Sequence, residues 1–152
     1  NISGTSDLAP LDEQAGIIKE LFPDAKTVGL LYCSAEPNSQ YQVDTVKASL
    51  EELGYTCEYY AFSDSNDLAT VCQSAADASD VICSGCGVAT LSISYYDLGV
   101  ATGKMAAKIL TGESKVEEMP IEYAPEFTKE YNPTIAEALG ITIPDDYVAY
   151  EG

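Results

Sequence analysis

The sequence predicts an α/β fold, a three-layer sandwich in which helices flank a mainly parallel central sheet. Two observations lead to this prediction. Some segments carry apolar residues at helical spacing, others are short apolar or aromatic runs, and the two kinds alternate along the chain. Such alternation is typical of a parallel sheet with helices on both faces. The length of 152 residues suits one domain or one lobe of a larger protein.

In the first half of the chain, three helices alternate with three strands. Pro10 suits a first helical turn, Asn38 or Ser39 suits an N-cap, and Gly54 suits a helix end. The turn at 63–66 would cap the third helix. The strands are expected over 27–32, 55–62 and 80–83, and the helical faces comprise Leu11, Ala15, Ile18 and Phe22; Val43, Val46, Leu50 and Leu53; and Leu68, Val71, Cys72 and Ala75.

The second half continues the alternation. An extended segment over 88–93 precedes a long helix that Gly112 would end. Residues 119–123 suit a short strand, and Asn132-Pro133 opens a last helix that ends at Gly140. The tail from 141 to 152 is expected to be extended and partly surface-bound. The faces of these two helices comprise Leu98, Ala101, Met105 and Ile109, and Ile135 and Leu139.

One connection is too short for this scheme. Only four residues, 84–87, separate the strand that ends near Cys83 from the segment that starts at Val88. A crossover between parallel strands needs a dozen or more residues. Either these two segments form an antiparallel hairpin, or a crossover unit is missing here.

The composition excludes several classes of function. The chain has 25 acidic residues against 7 basic ones, all of them lysine, and a net charge of -18. Without histidine there is no Ser-His-Asp triad and no histidine metal ligand, and without arginine there is no bidentate phosphate clamp. A field of this sign repels nucleic acid and anionic lipid.

Targeting and redox signals are weak. No apolar stretch approaches the roughly 20 residues that cross a bilayer. The start, residues 1–5, is not a signal peptide and suggests a chain that begins partway through a longer protein. The cysteines are an odd number and too few for a disulfide scaffold, so they do not reveal the compartment; they are Cys33, Cys57, Cys72, Cys83 and Cys86.

Cys83-Ser84-Gly85-Cys86 is a C-x-x-C sequence, which suggests a redox pair or half of a zinc site. Glycine and a strand follow it instead of a helix, and no histidine can complete a zinc site. A local disulfide or free thiols are therefore preferred.

Gly85-Cys86-Gly87 lacks the third glycine and the following helix of a phosphate loop. We therefore expect no metal and no cofactor.

In parallel sheets, ligands bind beyond the carboxyl ends of the strands, which directs attention to loops 33–39, 62–66 and 93–97. Backbone N–H groups at 34–39 suit an anionic group, although a capped helix without ligand explains them equally. Asp7 either caps the first helix or provides a polar contact at the mouth of a cleft. Tyr95 and Tyr96 suit the floor of an aromatic site, although packing accounts for at least one of them.

Several segments together resemble the ABC transporter substrate-binding proteins related to tryptophan and tyrosine binders. They are 1–7, 26–32, 36–39, 89–99 and, as a C-terminal signature, 138–144. The resemblance implies a type I periplasmic-binding-protein fold with two lobes joined by a hinge. This chain matches the second lobe alone, so residues 1–152 are expected to form one lobe. Those proteins also have a strand–helix–strand unit where this chain has 83–87, which favours the missing crossover.

The resemblance further implies binding without catalysis: delivery of an aromatic or hydrophobic amino acid to an ABC importer. The implied partners are the permease and the missing first lobe, and the implied location is extracytoplasmic, as a membrane-anchored lipoprotein. Two rivals remain, a ligand-sensing domain of a transcription regulator and a flavodoxin-like redox protein. The ligand-binding residues implied are Ser6 and Asp7 near the hinge, Ser34, Glu36, Asn38 and Ser39 at a helix mouth, and Tyr96 at a strand end.

Overall fold

A computed structural model describes residues 2–8, 10–84 and 87–150. The helices are α1 (Leu11–Leu21), α2 (Pro37–Glu52), α3 (Ser65–Ala78), α4 (Tyr95–Leu110) and α5 (Pro133–Leu139), with a 3₁₀ turn at Val116–Glu118. The strands are β1 (Thr5–Ser6), β2 (Thr27–Cys33), β3 (Thr56–Phe62), β4 (Val81–Cys83), β5 (Ala89–Ile93), β6 (Glu122–Tyr123), β7 (Phe127–Tyr131) and β8 (Val148–Ala149).

The central sheet has the order β3-β2-β4, and all its strands are parallel. Helices α1 and α2 pack on one face, and α3 packs on the other. The first face carries the main core, in which Val28, Leu30 and Leu50 are almost completely buried. Burying a side chain of this size stabilises a fold by about 1.5–3 kcal/mol. The three-layer α/β prediction is therefore confirmed.

Gly29 lies between Val28 and Leu30 and faces the opposite side of the sheet, where α3 ends. A Cβ at Gly29 would lie 2.7 Å from Ser79 Oγ and 3.2 Å from the Tyr60 ring. The close approach of α3 to the sheet therefore depends on the missing side chain at this position.

Two smaller sheets complete the fold. β1 pairs with β6 in parallel, and the third sheet has the order β5-β7-β8. Only the β5–β7 ladder is antiparallel among the strands described. Sequence analysis did not predict β1 or β7, and it described the region of β8 only as an extended tail. β7 is Phe-Thr-Lys-Glu-Tyr, whose polar centre gives no strand pattern, and the other two are only two residues long.

The short connection after β4 does not form an antiparallel hairpin. β4 pairs with β2, whereas β5 pairs with β7, so the two strands belong to different sheets. Cys83 and Ile93, at their carboxyl ends, each share a cavity with Leu11 at the start of α1. The hairpin alternative was therefore wrong.

Most helix ends follow local sequence signals. Asp64 and Asp67 form a capping box at α3, with Asp64 Oδ1 accepting from Asn66 N at 2.7 Å. The three glycines expected to end helices do have positive φ: Gly54, Gly112 and Gly140. Asn132 caps α5, with Oδ1 accepting from Ile135 N at 3.1 Å.

Two helix starts differ from the predictions. The N-cap of α2 is Glu36, not Asn38 or Ser39, because Pro37 suits the first helical position and moves the start forward. α4 begins at Tyr95, and Ser94 Oγ accepts from Asp97 N at 3.1 Å. None of the helices in the described ranges is long and apolar enough to span a membrane.

Candidate functional site

The carboxyl ends of the parallel strands meet at one edge of the central sheet. β2 ends at Cys33, β3 at Phe62 and β4 at Cys83. α1 and α2 both start at this edge, because each helix runs back along the strands. The backbone N–H groups of the first helical turns therefore lie beside the strand ends.

A cavity of about 560 Å³, here called the strand-end cavity, lies between these strand ends and the helices. Its polar lining comes from Glu36 and Ser39 at the start of α2, from Gln14 and Gln42, and from Ser84 and Thr90. The other lining side chains are mostly apolar and come from α1, β2, α2, β3, α3 and β4. This edge of the fold is therefore open and is not filled by packed side chains.

A second cavity of about 520 Å³, here called the aromatic cavity, lies at the start of α1. Three aromatic rings line it, those of Tyr41, Tyr123 and Phe127, and each is more than 40% exposed. Asp12 and Glu126 are the acidic residues of the lining, and no lysine lines it. The remaining lining residues are Leu8, Pro10, Leu11, Thr45, Ile93, Ala124 and Pro125. Aromatic walls with carboxylates at the rim suit a ligand that has an apolar body and a cationic group.

Four of the predicted site residues lie at the start of α2, but only two of them line a cavity. Glu36 and Ser39 line the strand-end cavity, and Ser39 Oγ donates a hydrogen bond to Glu36 Oε2 over 3.4 Å. Ser34 instead attaches its loop to β3, because its N and its Oγ both donate to Phe62 O, at 2.8 and 3.1 Å. Asn38 is exposed on the first turn of α2.

Ser6 and Asp7 lie next to the aromatic cavity. Ser6 Oγ accepts from Leu8 N at 3.3 Å, and Ser6 pairs in register with Tyr123; Leu8 and Tyr123 both line that cavity. Asp7 is exposed. The N-cap of α1 is Pro10, without a side-chain cap.

Tyr96 lies on the first turn of α4 and is 80% exposed. It is thus a helix residue, not the strand-end residue expected, and it lines neither cavity. The predicted residues therefore form two groups at one edge of the fold, one around Glu36 and one around Ser6, with Tyr96 outside both.

Sequence reasoning missed the three rings of the aromatic cavity. Tyr41 lies one helical turn after Pro37, and its exposed aromatic ring on a polar helix face was an available signal. Tyr123 and Phe127 had no local signal. They reach the cavity through the pairing of β1 with β6 and of β5 with β7, both between segments far apart in sequence.

The C-x-x-C segment shows no sign of redox activation at its first cysteine. Burial raises the pKa of the Cys83 thiol to about 11, whereas reactive thiols have lowered pKa values. Cys86 lies outside the described residues. Within the described ranges, no three potential metal ligands lie close enough to hold an ion.

The chain matches a family model described as "ABC transporter substrate binding protein" in two stretches, residues 1–84 and 76–151. One curated relative is a tyrosine-binding protein of Clostridioides difficile (strain R20291). It is 25% identical over 154 residues, which cover 80% of this chain and 44% of that protein. The chain therefore spans less than half of this relative.

Three solved structures resemble the whole chain. A Streptococcus pneumoniae ABC domain in complex with L-Trp has a TM-score of 0.76 and 31% identity over 98% of this chain and 64% of its own. A ligand-free, open substrate-binding protein with adhesive properties from Clostridium difficile has a TM-score of 0.80 and 28% identity, over 98% and 63%. A conserved domain protein from Vibrio cholerae has a TM-score of 0.78 and 26% identity, over 99% and 63%.

Proposed function

Because this chain belongs to the ABC transporter substrate-binding protein family, we propose that it is the ligand-binding lobe of the solute-binding component of an ABC importer. Its role is binding without catalysis. In the full-length protein, a first lobe closes over the ligand, and the closed form is presented to the permease. The protein acts outside the cytoplasm, at the cell surface or in the periplasm, as a membrane-anchored lipoprotein.

The ligand we propose is an aromatic or other hydrophobic amino acid. The observation that supports it most is the aromatic cavity, whose three rings surround an open space of about 520 Å³. Two of the relatives are a tyrosine-binding protein and an ABC domain in complex with L-Trp. Aromatic side chains bind such ligands through apolar contact and ring stacking.

The polar groups of the ligand would be held by the residues around the two cavities. Glu36, Asp7 and the acidic rim of the aromatic cavity suit the ligand's ammonium group. Ser6 and Asn38 supply a hydroxyl and an amide group that donate to its carboxylate, and the helix starts add backbone N–H groups. The hydroxyls of Ser34 and Ser39 already donate to Phe62 O and Glu36 Oε2, so these two oxygens would accept from the ligand's ammonium group. Tyr96 would contact the ligand or the opposite lobe only after closure, since it is exposed here.

Closure of the two lobes links ligand binding to the change in conformation. A ligand shifts the open–closed equilibrium only through contacts made in the closed state. One lobe supplies only part of these contacts, so the 152-residue chain alone binds its ligand weakly.

Isothermal titration of the intact two-lobe protein tests the ligand class. L-tryptophan, L-tyrosine, L-phenylalanine and L-leucine are the titrants, and glycine is the control for the common backbone groups. We expect saturable heat with at least one of the four and none with glycine. No heat with any of the four would reject the ligand class.

We also propose that a strand–helix–strand unit of the natural protein is missing between Cys83 and Gly87. Three observations support it. The family model matches two separate stretches that overlap only at 76–84. The alignment with the curated relative extends over 154 residues, more than the 152 of this chain, although it includes only 80% of the chain. Part of the aligned stretch of the relative therefore has no counterpart in this chain. β4 and β5 belong to different sheets, and no helix or strand of the described residues lies between them in sequence. Sequencing the natural gene across this position is the test, and a direct junction of Cys83 through Gly87 would contradict the proposal.

A further inference from the structure

The charged side chains that line the aromatic cavity are both negative. Asp12 lies in the first turn of α1, Glu126 lies between β6 and β7, and both are exposed. Among the described residues, neither carboxylate has an ion-pair partner or a side-chain hydrogen bond. Both are therefore available to a cationic group of a ligand.

The positive side chains of this chain lie away from both cavities. The chain has no arginine and no histidine, and none of its seven lysines, all of which the structure describes, lines the aromatic cavity or the strand-end cavity. Two lysines lie within two residues of the aromatic lining, and both are already paired. Lys129 binds Glu20 and Asp146, each at 2.9 Å. Lys47 binds Glu51.

An amino acid therefore finds unequal partners for its two charges on this surface. Its ammonium group is attracted by the two carboxylates and by the faces of the three rings. Its carboxylate finds only neutral donors, such as Ser6 and Asn38, and the backbone N–H groups of helix starts. Asp12 and Glu13 in the first turn of α1 offset the partial positive charge of that helix start.

Closure of the lobes makes this imbalance more important. In the open form, water screens the exposed carboxylates from a ligand. Expelling that water strengthens the attraction for the ammonium group and the repulsion of the carboxylate alike. The net charge of -18 adds to the repulsion. The ligand's carboxylate therefore requires a positive partner from outside this chain.

We propose that the two lobes divide the ligand by charge. This lobe binds the aromatic ring and the ammonium group, and a lysine or arginine of the first lobe binds the carboxylate. The inference rests on the proposed function and adds which part of the ligand each lobe recognises. One consequence is that the 152-residue chain alone prefers an aromatic amine that has no carboxylate, whereas the two-lobe protein prefers the amino acid.

Ligands that share a ring and differ in charge test this division. One set is L-tryptophan, tryptamine and 3-indolepropionate, and the other is L-tyrosine, tyramine and 3-(4-hydroxyphenyl)propionate. Titration calorimetry of the intact two-lobe protein should show the tightest binding for the amino acid of the preferred set. NMR titration of the 152-residue chain should show at least fivefold tighter binding for the amine than for the amino acid, and the weakest binding for the propionate.

A double variant tests the ammonium site in the intact protein. Asp12→Asn with Glu126→Gln removes both charges and keeps the side-chain shapes. It should weaken binding of the amino acid and of the amine at least fivefold, and it should not weaken binding of the propionate. Asp24→Asn with Glu52→Gln makes the same change in net charge at exposed positions outside both cavities, and it should change each affinity less than twofold.

Thermal melts verify that the 152-residue chain and both double variants fold. If the 152-residue chain does not fold, the variants of the intact protein decide the matter. The division by charge is overturned if the cavity variant weakens all three ligands of a set equally or weakens none. It is also overturned if the intact protein binds the amine as tightly as the amino acid, if the folded 152-residue chain prefers the amino acid, or if neither aromatic amino acid binds. The proposed function fails separately, when none of L-tryptophan, L-tyrosine, L-phenylalanine and L-leucine binds.

Discussion

Lys129 on β7 donates a hydrogen bond from Nζ to Glu20 Oε2 on α1 over 2.9 Å. The same Nζ lies 2.9 Å from Asp146 Oδ2, and Tyr147 OH donates to the same Glu20 oxygen at 2.9 Å. Hydrogen bonds to Glu20 and Asp146 raise the pKa of Lys129 above its ordinary value. This cluster attaches the third sheet and the C-terminal segment to α1.

Lys129→Met removes both ion pairs and leaves the two carboxylates close together. We expect the free energy of unfolding to fall by about 1 kcal/mol, the upper range for partly exposed pairs. Urea denaturation followed by circular dichroism measures it. Lys104→Met, on the exposed face of α4, makes the same change in charge and should alter stability by less than about 0.5 kcal/mol. Equal losses of unfolding free energy in the two variants would show that the effect comes from the change in net charge and not from the cluster around Lys129.

Asp80 joins the start of β4 to the start of β2. Its Oδ2 accepts from Lys26 N, Thr27 N and Thr27 Oγ1, each at 2.9 Å. These bonds, the one from Lys26 N first, lower the pKa of the Asp80 carboxyl below its ordinary value. A lowered folded-state pKa gives stability that is present above the unfolded pKa, about 3.9, and is lost as pH falls through the folded value.

Asp80→Asn should therefore lower the melting temperature at pH 6 to 7, and the difference from the unmodified chain should shrink below about pH 4. Melts across this pH range measure the effect. Asp24→Asn, in the exposed turn after α1, is the matched control. A difference that stays constant down to pH 2 would contradict the assignment of the effect to the ionised carboxylate.

Gly29→Ala tests the close approach of α3 to the sheet. The new Cβ would overlap Ser79 Oγ and press on the Tyr60 ring, so we expect a loss of about 1–3 kcal/mol in the free energy of unfolding. Removing the hydroxyl with Ser79→Ala should recover part of this loss in the double variant. Gly16→Ala is the opposite control. Nothing lies within 4 Å of its added Cβ in the middle of α1, so it should stabilise by about 0.5–1 kcal/mol.

Cys83 should react slowly with alkylating reagents. Burial raises the pKa of its thiol from 9.0 to about 11, which leaves about 100-fold less thiolate at pH 8. Iodoacetamide labelling of the reduced protein, with the labelled residue identified by mass spectrometry, gives the rate. The same chain in guanidinium chloride is the reference, and Cys83 should react there about 100-fold faster. Comparable rates in the two conditions would contradict this prediction and revive the redox alternative.

Tyr41 and Phe127 test the aromatic cavity in the intact two-lobe protein. Replacing either ring with alanine should weaken binding of the preferred aromatic amino acid about tenfold, because each ring–ring contact contributes roughly 0.5–1.5 kcal/mol beyond the apolar area that it buries. Titration calorimetry measures the affinities. Tyr150→Ala, outside this cavity and of similar exposure, is the control. Unchanged affinity in both cavity variants would place the ligand elsewhere.

The candidate site could be predicted from sequence only in part. Loop 33–39 was identified because strand ends and helix starts are local features, whereas Glu36 and Ser39 themselves came from the family resemblance; both residues line a cavity. The role of Ser34 could not be predicted from sequence, since it depends on a hydrogen bond to the carbonyl of Phe62, 28 residues away. Tyr123 was missed because its position follows from pairing with Ser6 across most of the chain.

The amino-acid sequence alone determined the alternation of helix and strand, the glycine ends of α2, α4 and α5, and the cap of α3, because these depend on neighbours within a few residues. It also determined the strong acidity. Only the tertiary structure decided that β5 pairs with β7 instead of β4, that Lys129 meets Glu20, and that three rings converge at one cavity. These contacts join residues that are distant in sequence, and they form only when burial of the shared core brings their elements together.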